Sequence, residues 1–443
     1  MASERERRYP IDFASIPPAG MPPSADLGVD VLHQRLSSAA PMLWKPASAP
    51  LRALQGHLFA DWNALRQVKR SDRWSRDPIR PPIEESAIRA TQRSSTQTIE
   101  VRPGRVLRAT PVFDTYWRFA AMRQDLFMRR VVGAQPPWTD DPVLAAHRFT
   151  NAYRASDRVS QYLIQQVIYE GDQRDEEVFF RVMLFKLFNR VETWEALERE
   201  LGSPSWKQFE YERYARVLDT VIANGDAIYS AAYIMPSPAF GNRRKHRNHL
   251  QLLEHMMRDG APRRVSRARS LETVFEVLRG YPSLGPFLAF QFTIDLNYST
   301  LINFSEMDFV VAGPGARDGI RKCFADTTGL SDSEIIRSMA ERSTYEFRRL
   351  GLTFKTLWGR PLMLIDCQNL FCEVDKYARV VHPEIPGTSG RTRIKQKFAP
   401  KTSPLPQWYP PKWGLTPSTD LQTKPAIQPR CRQRQASLKF AST

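Results

Sequence analysis

The sequence is poor in cysteine and histidine, with four and seven among its 443 residues. The cysteines (Cys323, Cys367, Cys372 and Cys431) show neither a pairing pattern nor a zinc-type Cys-x-x-Cys. That excludes a disulfide framework and suits a reducing compartment. His246 and His249 lie in Arg243-Arg-Lys-His-Arg-Asn-His249, where no carboxylate or cysteine stands at ligand spacing, so no metal is expected. That basic run fits a nucleic-acid backbone better. No apolar run approaches the length of a membrane span, so no membrane partner is expected. With charges from Glu4 onward and no long apolar run, no signal peptide is expected.

What the sequence does have is positive charge, unevenly placed. The net charge is +17, of which +6 falls in residues 1–110 and +10 in residues 385–443, leaving +1 for the middle. Basic flanks on a near-neutral folded middle attract polyanions by counterion release. Nucleic acid is the leading partner; solubility or nuclear import is the plain alternative. Arms rich in Pro, Ser and Arg lean towards a eukaryotic source and a nuclear location; otherwise the chain is expected in the cytoplasm.

Three regions follow. Residues 1–110 read as a mostly disordered arm with one expected helix, 53–70, and a linker from Ser71 to Thr110. Residues 111–384 form a helical domain, and 385–443 a basic tail whose nine prolines oppose a compact fold. Within the domain, Phe113, Tyr116, Trp117, Phe119, Ala120 and Phe127 recur at near-helical spacing from Pro111. Asp140 or Asp141 is placed to cap the next helix. Helices are also expected over Arg148–Tyr169, Glu176–Thr193, Trp206–Asn224, Asn248–Asp259 and Ser270–Arg279; Trp358–Ile365 reads as one β-like stretch or as the entry to the next helix. In the tail, Trp408, Tyr409 and Trp413 either stack on bases or dock on the domain.

The most informative stretch is Tyr281-Pro-Ser-Leu-Gly-Pro-Phe-Leu-Ala289, a short Pro/Gly turn between two apolar segments. Exposed amides at such a turn, around Ser283 and Gly285, bind a phosphate; an ordinary corner is the bland alternative. Gly313-Pro-Gly-Ala-Arg317 offers a second turn, with amides at Gly313 and Gly315 and charge at Arg317. Asp366, Asn369, Glu373 and Lys376 are spaced by three, four and three, so they line one helix face. Such a face either bridges charges at a surface or holds an amine and manages its proton. Asn151, Arg154 and Arg158 lie close on one face of the expected helix, with Tyr116, Arg123, Arg148 and Asp157 nearby. They serve phosphate recognition or inter-helix ion pairs.

Tyr281–Ala289 resembles the hairpin of the helix-hairpin-helix DNA glycosylases, matching at Pro282, Leu284, Gly285 and Ala289. Ser283 replaces the first glycine of that pattern. The resemblance implies a catalytic aspartate about twenty residues on, where Asp308 stands; Asp295 is too near. The lyase lysine would fall at Phe287, which excludes Schiff-base chemistry there.

A broader resemblance rests on Tyr116-Trp-Arg-Phe119, Pro137-Trp-Thr-Asp-Asp-Pro142, Arg148-Phe-Thr-Asn-Ala-Tyr-Arg154 with Asp157-Arg158, and Phe188-Asn189. It continues through Asp308-Phe-Val-Val-Ala-Gly-Pro-Gly-Ala316 and Asp366-Cys-Gln-Asn-Leu-Phe-Cys-Glu-Val-Asp-Lys376. These segments resemble the α-glutamyl/putrescinyl thymine pyrophosphorylases (amino acid:DNA transferases), which share the helical domain named after 5-hydroxymethyl-deoxyuridine (5-hmdU) DNA kinases. The resemblance implies a mainly α, glycosylase-like fold and hypermodification of thymine in DNA. An amine or amino acid replaces the (pyro)phosphate of a modified 5-hydroxymethyluracil. A separate 5-hmdU DNA kinase is a further implied partner, since the chain lacks Gly-x4-Gly-Lys-Ser/Thr. No cofactor is expected. The expected catalytic set is Asp308, Glu373, Asp366, Lys376 and Asn369. The expected nucleic-acid set is Ser283, Gly285, Gly313, Gly315, Arg317, Arg148, Asn151, Arg154, Arg158 and Asn189. A glycosylase-like excision and a non-catalytic DNA-binding module are the alternatives.

Overall fold

A computed structural model of the protein describes residues 97–399 and 407–417. It opens with a two-stranded antiparallel sheet, β1 (Thr98–Arg102) and β2 (Arg105–Arg108), which pairs Ile99 with Leu107. Those two apolar residues face the core and their neighbours face water, as the period of two requires.

Thirteen α-helices follow among the described residues. The first is α1 (Pro111–Val131). Thr110 caps it by accepting the Val112 N–H, and Pro111 stands at the first position, where an N–H is not needed. Next is α2 (Pro142–Ala146), where Asp141, one of the two expected caps, accepts the Leu144 N–H at 2.7 Å. Then come α3 (Arg158–Tyr162), running into a π-helical turn Leu163–Ile168, and α4 (Asp175–Phe188). They are followed by α5 (Val191–Leu201), α6 (Tyr211–Ala223), α7 (Lys245–Arg258) and α8 (Ala261–Ser266). The hairpin pair is α9 (Leu271–Arg279) and α10 (Pro286–Asn297). Last are α11 (Pro314–Cys323), α12 (Asp332–Arg349) and α13 (Leu364–Val381).

Two helices are buried on every side and therefore central. In α4 all residues from Glu177 to Phe188 are buried, and in α10 all from Leu288 to Asn297. The amphipathic helices pack around them. The tightest pair is α11 on α13: a Cβ on Gly319 would lie 2.1 Å from the Phe371 carbonyl oxygen, so only glycine lets the two backbones meet. No helix among the described residues is long and apolar enough to cross a membrane.

Four expectations change. Residues 148–157 are not helical. They form a loop closed by a 3-10 turn, Arg154–Ser156, because Asp157 accepts the Asn151 N–H and the Asn151 amide donates to the Ser156 carbonyl. The expected 176–193 helix stops at Phe188, where Asn189 takes a left-handed conformation, φ 51°. Trp358–Ile365 is no strand; Trp358 has φ 47° and the segment makes only an isolated bridge, Leu357 to Arg360. Instead the sheet lies in the expected linker. In the tail, the docking alternative holds for the described residues: Phe398 and Arg148 donate main-chain bonds to Ala146 and Gln396, and residues 407–417 form an aromatic strap. The expected helix 53–70 and most of both arms lie outside the described residues.

Candidate functional site

The predicted parts lie on elements that pack against one another. The turn between α9 and α10 gives Ser283 a left-handed conformation, φ 66°, at the position where the glycosylase pattern has glycine. Gly285 is exposed, and a Cβ there would meet nothing within 4 Å. Pro286 follows at the first position of α10. Asp308 is exposed on the loop after α10, and its side chain makes no hydrogen bond or ion pair among the described residues. The neighbouring Phe309 ring fixes it by packing on Phe275 of α9 and Phe290 of α10, at 5.1 and 5.9 Å between centroids. Arg337 holds the same loop by donating to the Met307 and Asp308 carbonyls.

The second glycine turn packs against the first. A Cβ on Gly313 would lie 2.7 Å from the Phe287 ring of α10, and one on Gly315 would lie 3.1 Å from the Cys372 sulfur of α13. A side chain at Gly313 would force the Phe287 ring to move, whereas at Gly315 the Cys372 side chain need give only slightly. The N–H groups of Gly315 and Ala316, in the first turn of α11, have no acceptor within the helix. Arg317 is exposed beside them and shares Asp332 with Arg321.

The α13 face divides by depth. Glu373 is buried; it accepts the Thr150 N–H at 2.9 Å and binds half-buried Lys376 at 2.6 Å. Asn369 is half-buried. Asp366 is buried and accepts the N–H groups of Arg154 and Met363, at 2.9 and 3.0 Å. Burial, with the nearby Glu306 carboxylate second, pushes the Asp366 carboxyl up to about 7. No hydrogen bond or ion pair joins Asp308 to Glu373 among the described residues.

The predicted arginine face is dispersed. Arg154 is buried, Arg158 is exposed and 3.7 Å from Glu192, and Asn151 closes its own loop. Arg154 instead centres a buried network. Its guanidinium donates to both oxygens of Asp295, to the Gln291 side chain and to the Tyr298 hydroxyl. Lys186 reaches Asp295 at 3.0 Å and Asn189 at 2.6 Å. Gln291 passes the network to Gln368 of α13. Burial lowers the Lys186 ammonium to about 8 against the pull of Asp295, with the Arg154 charge adding to the drop. Burial alone would raise the Asp295 carboxyl; Arg154 and Lys186 overcome it and hold it below its ordinary value.

Lys186, Gln291 and Gln368 escaped the sequence reading, which set Asp295 aside as too near the hairpin. The signal was there: a lysine between Phe185 and Leu187 of α4 and an aspartate between Ile294 and Leu296 of α10, too costly to bury unless paired. His246 and His249 are buried too, bonded to Asp219 and to Tyr229 and Pro236, so they belong to the core and do not form a backbone-binding patch.

The aromatic strap covers the outer end of this network. Tyr409 bonds Ser156 at 2.8 Å, the Trp413 ring meets Tyr298 edge-on, and the Arg360 guanidinium sits 3.8 Å over Trp413 while also binding Glu306. Lys412 donates to the Ser299 and Ile302 carbonyls.

Two comparisons bear on this arrangement. Residues 110–387 match the family described as 5-hmdU DNA kinase, helical domain. A 5-hmdU DNA kinase of Bacillus phage SP10 is 28% identical over 286 residues, which is 60% of this chain and 45% of that protein. The chain thus spans less than half the length of that relative. No solved structure matches it. With 278 of its residues matched by the family, the chain belongs to the 5-hmdU DNA kinase helical-domain family.

Proposed function

We propose that this domain takes part in thymine hypermodification of DNA, transferring an amine or amino acid onto a (pyro)phosphorylated 5-hydroxymethyluracil base. Family membership and the relative named as a 5-hmdU DNA kinase support the base and the polymer. The observation that carries the reading is Asp308. It is an exposed carboxylate without a partner among the described residues, held beside the hairpin by Phe309 and a few residues before the Gly313–Arg317 turn.

The target base is flipped out of the duplex. The amine nitrogen bonds to the 5-methylene carbon as the bond from that carbon to the (pyro)phosphate oxygen breaks. The leaving group departs with the electron pair, towards the half-buried Gly315 N–H at the start of α11 and the charge of Arg317. Asp308 accepts the proton released by the amine. Glu373 and Lys376 orient the incoming amine or amino acid. A separate 5-hmdU DNA kinase supplies the phosphorylated base, since the chain has no phosphate-binding Gly-x4-Gly-Lys-Ser/Thr loop.

The same exposed aspartate beside a hairpin also favours a second reading, excision of the modified base. The test is incubation of the full chain with duplexes bearing pyrophosphorylated hydroxymethyluracil and a set of amines, followed by nucleoside mass spectrometry. A new adduct, lost in Asp308→Asn, is expected. An abasic site would establish the second reading, and an unchanged nucleoside profile would reject both.

A further inference from the structure

A concavity of about 710 Å³ lies between α8 and α9, outside every residue assigned above. Its lining is Arg263, Arg264, Arg267 and Arg269 over a floor of Ala268, Thr273 and Val277. All four arginines are exposed and no carboxylate lines the space. Arg263 and Arg267 are four residues apart and share a face.

Their pairing is uneven. Arg264 is bound to Asp259 and to the Tyr281 hydroxyl. The side chains of Arg263, Arg267 and Arg269 make no ion pair or hydrogen bond among the described residues. The other carboxylates close by in sequence are Glu276, which is bound to Arg279, and Glu272, which is exposed and does not line the space. Three unneutralised guanidinium groups around one hollow repel each other at a cost that a bound polyanion removes.

The hollow is also continuous with the hairpin. Tyr281 opens the turn, and it is the residue that Arg264 and Asp259 both hold. The Arg264 guanidinium, which lines the hollow, thus touches the residue that begins the hairpin turn. The apolar floor suits a sugar edge between two phosphates.

We infer that this arginine hollow is a binding site for the phosphodiester backbone of duplex DNA, flanking the hairpin and extending its footprint. It rests on the proposed reading only in taking DNA as the polymer. Charge complementarity selects that occupant over an apolar or cationic one.

The test uses the full chain and a labelled, unmodified duplex, with affinity read by fluorescence anisotropy across a salt series. The triple variant Arg263→Ala/Arg267→Ala/Arg269→Ala is expected to bind at least tenfold more weakly at low salt. Its slope of log affinity against log salt should be shallower by up to about 2.7, since each phosphate left without its arginine removes roughly 0.9. The triple lysine variant should keep both. If the alanine variant does not fold, Arg267→Ala alone should lower the slope by about 0.9. Unchanged affinity and slope, or a wild-type chain that binds no duplex, would overturn the inference. So would loss of binding to polyglutamate or single-stranded RNA with duplex binding intact, which would reassign the hollow to an acidic protein or to RNA. Adduct formation is read separately. A product with an unchanged slope sinks the hollow alone, and a shallower slope without product sinks the transfer reading alone.

Discussion

Asp295 takes both arms of the Arg154 guanidinium, at 2.7 and 3.0 Å, and the Lys186 ammonium at 3.0 Å, in a place where all three side chains are buried. One carboxylate thus answers two cations from α4 and the 154–156 turn. Removing it strands both. Asp295→Asn is expected to cost about 3–5 kcal/mol, or to prevent folding, measured by denaturant unfolding. Lys186→Met should cost clearly less, because Asp295 keeps Arg154.

Asp366 predicts a pH dependence of unusual sign. Its carboxyl titrates near 7 in the fold against an ordinary 3.8, so between those values the native state holds a proton that the unfolded chain releases. Its contribution to stability is complete below about pH 4 and is lost as pH rises through 7, by roughly 4 kcal/mol. Unfolding free energies of wild type and Asp366→Asn, taken from pH 4 to 8, should show their difference falling across that window and levelling above it. Asp157, raised to about 6 mainly by burial, is present in both and cancels.

The glycines separate packing from recognition. Gly319→Ala drives a methyl group into the Phe371 main chain and should cost about 3 kcal/mol or more. Gly285→Ala meets open space at φ −64° and should change stability by less than about 0.5 kcal/mol. If the hairpin amides grip a phosphate, the same methyl group lowers duplex affinity. Ser283→Gly relieves a left-handed serine and should add up to about 1 kcal/mol. Paired unfolding and anisotropy measurements check all three.

The strap can be weighed through Trp413. Trp413→Ala removes the ring beneath Arg360 and the edge contact to Tyr298, and is expected to cost about 1–2 kcal/mol. Proteolysis within residues 407–417 should accelerate at the same time. A variant as stable and as resistant as wild type would show the segment to be only loosely held.

Helix starts were legible where a cap and a proline coincide, as at Thr110-Pro111, Asp141-Pro142 and Gly285-Pro286. Residues 148–157 misled because their apolar spacing fits a helix while Asp157 and Asn151 bond the backbone themselves. The β-hairpin hid behind Pro103-Gly104 and its arginines, which read as linker. At the site, Asp308 and the two glycine turns were visible as local motifs. The Arg154–Asp295 pair was not, because its members stand 141 residues apart and only the fold joins them.

Tyr409 and Trp413 make the chain its own ligand at one end of the buried charges. Anything approaching Tyr298 or Arg360 from that direction competes with an occupant that never diffuses away. Its apparent affinity is the intrinsic one scaled by the fraction of molecules whose strap has lifted. Titrations on the intact protein will therefore understate that end of the network.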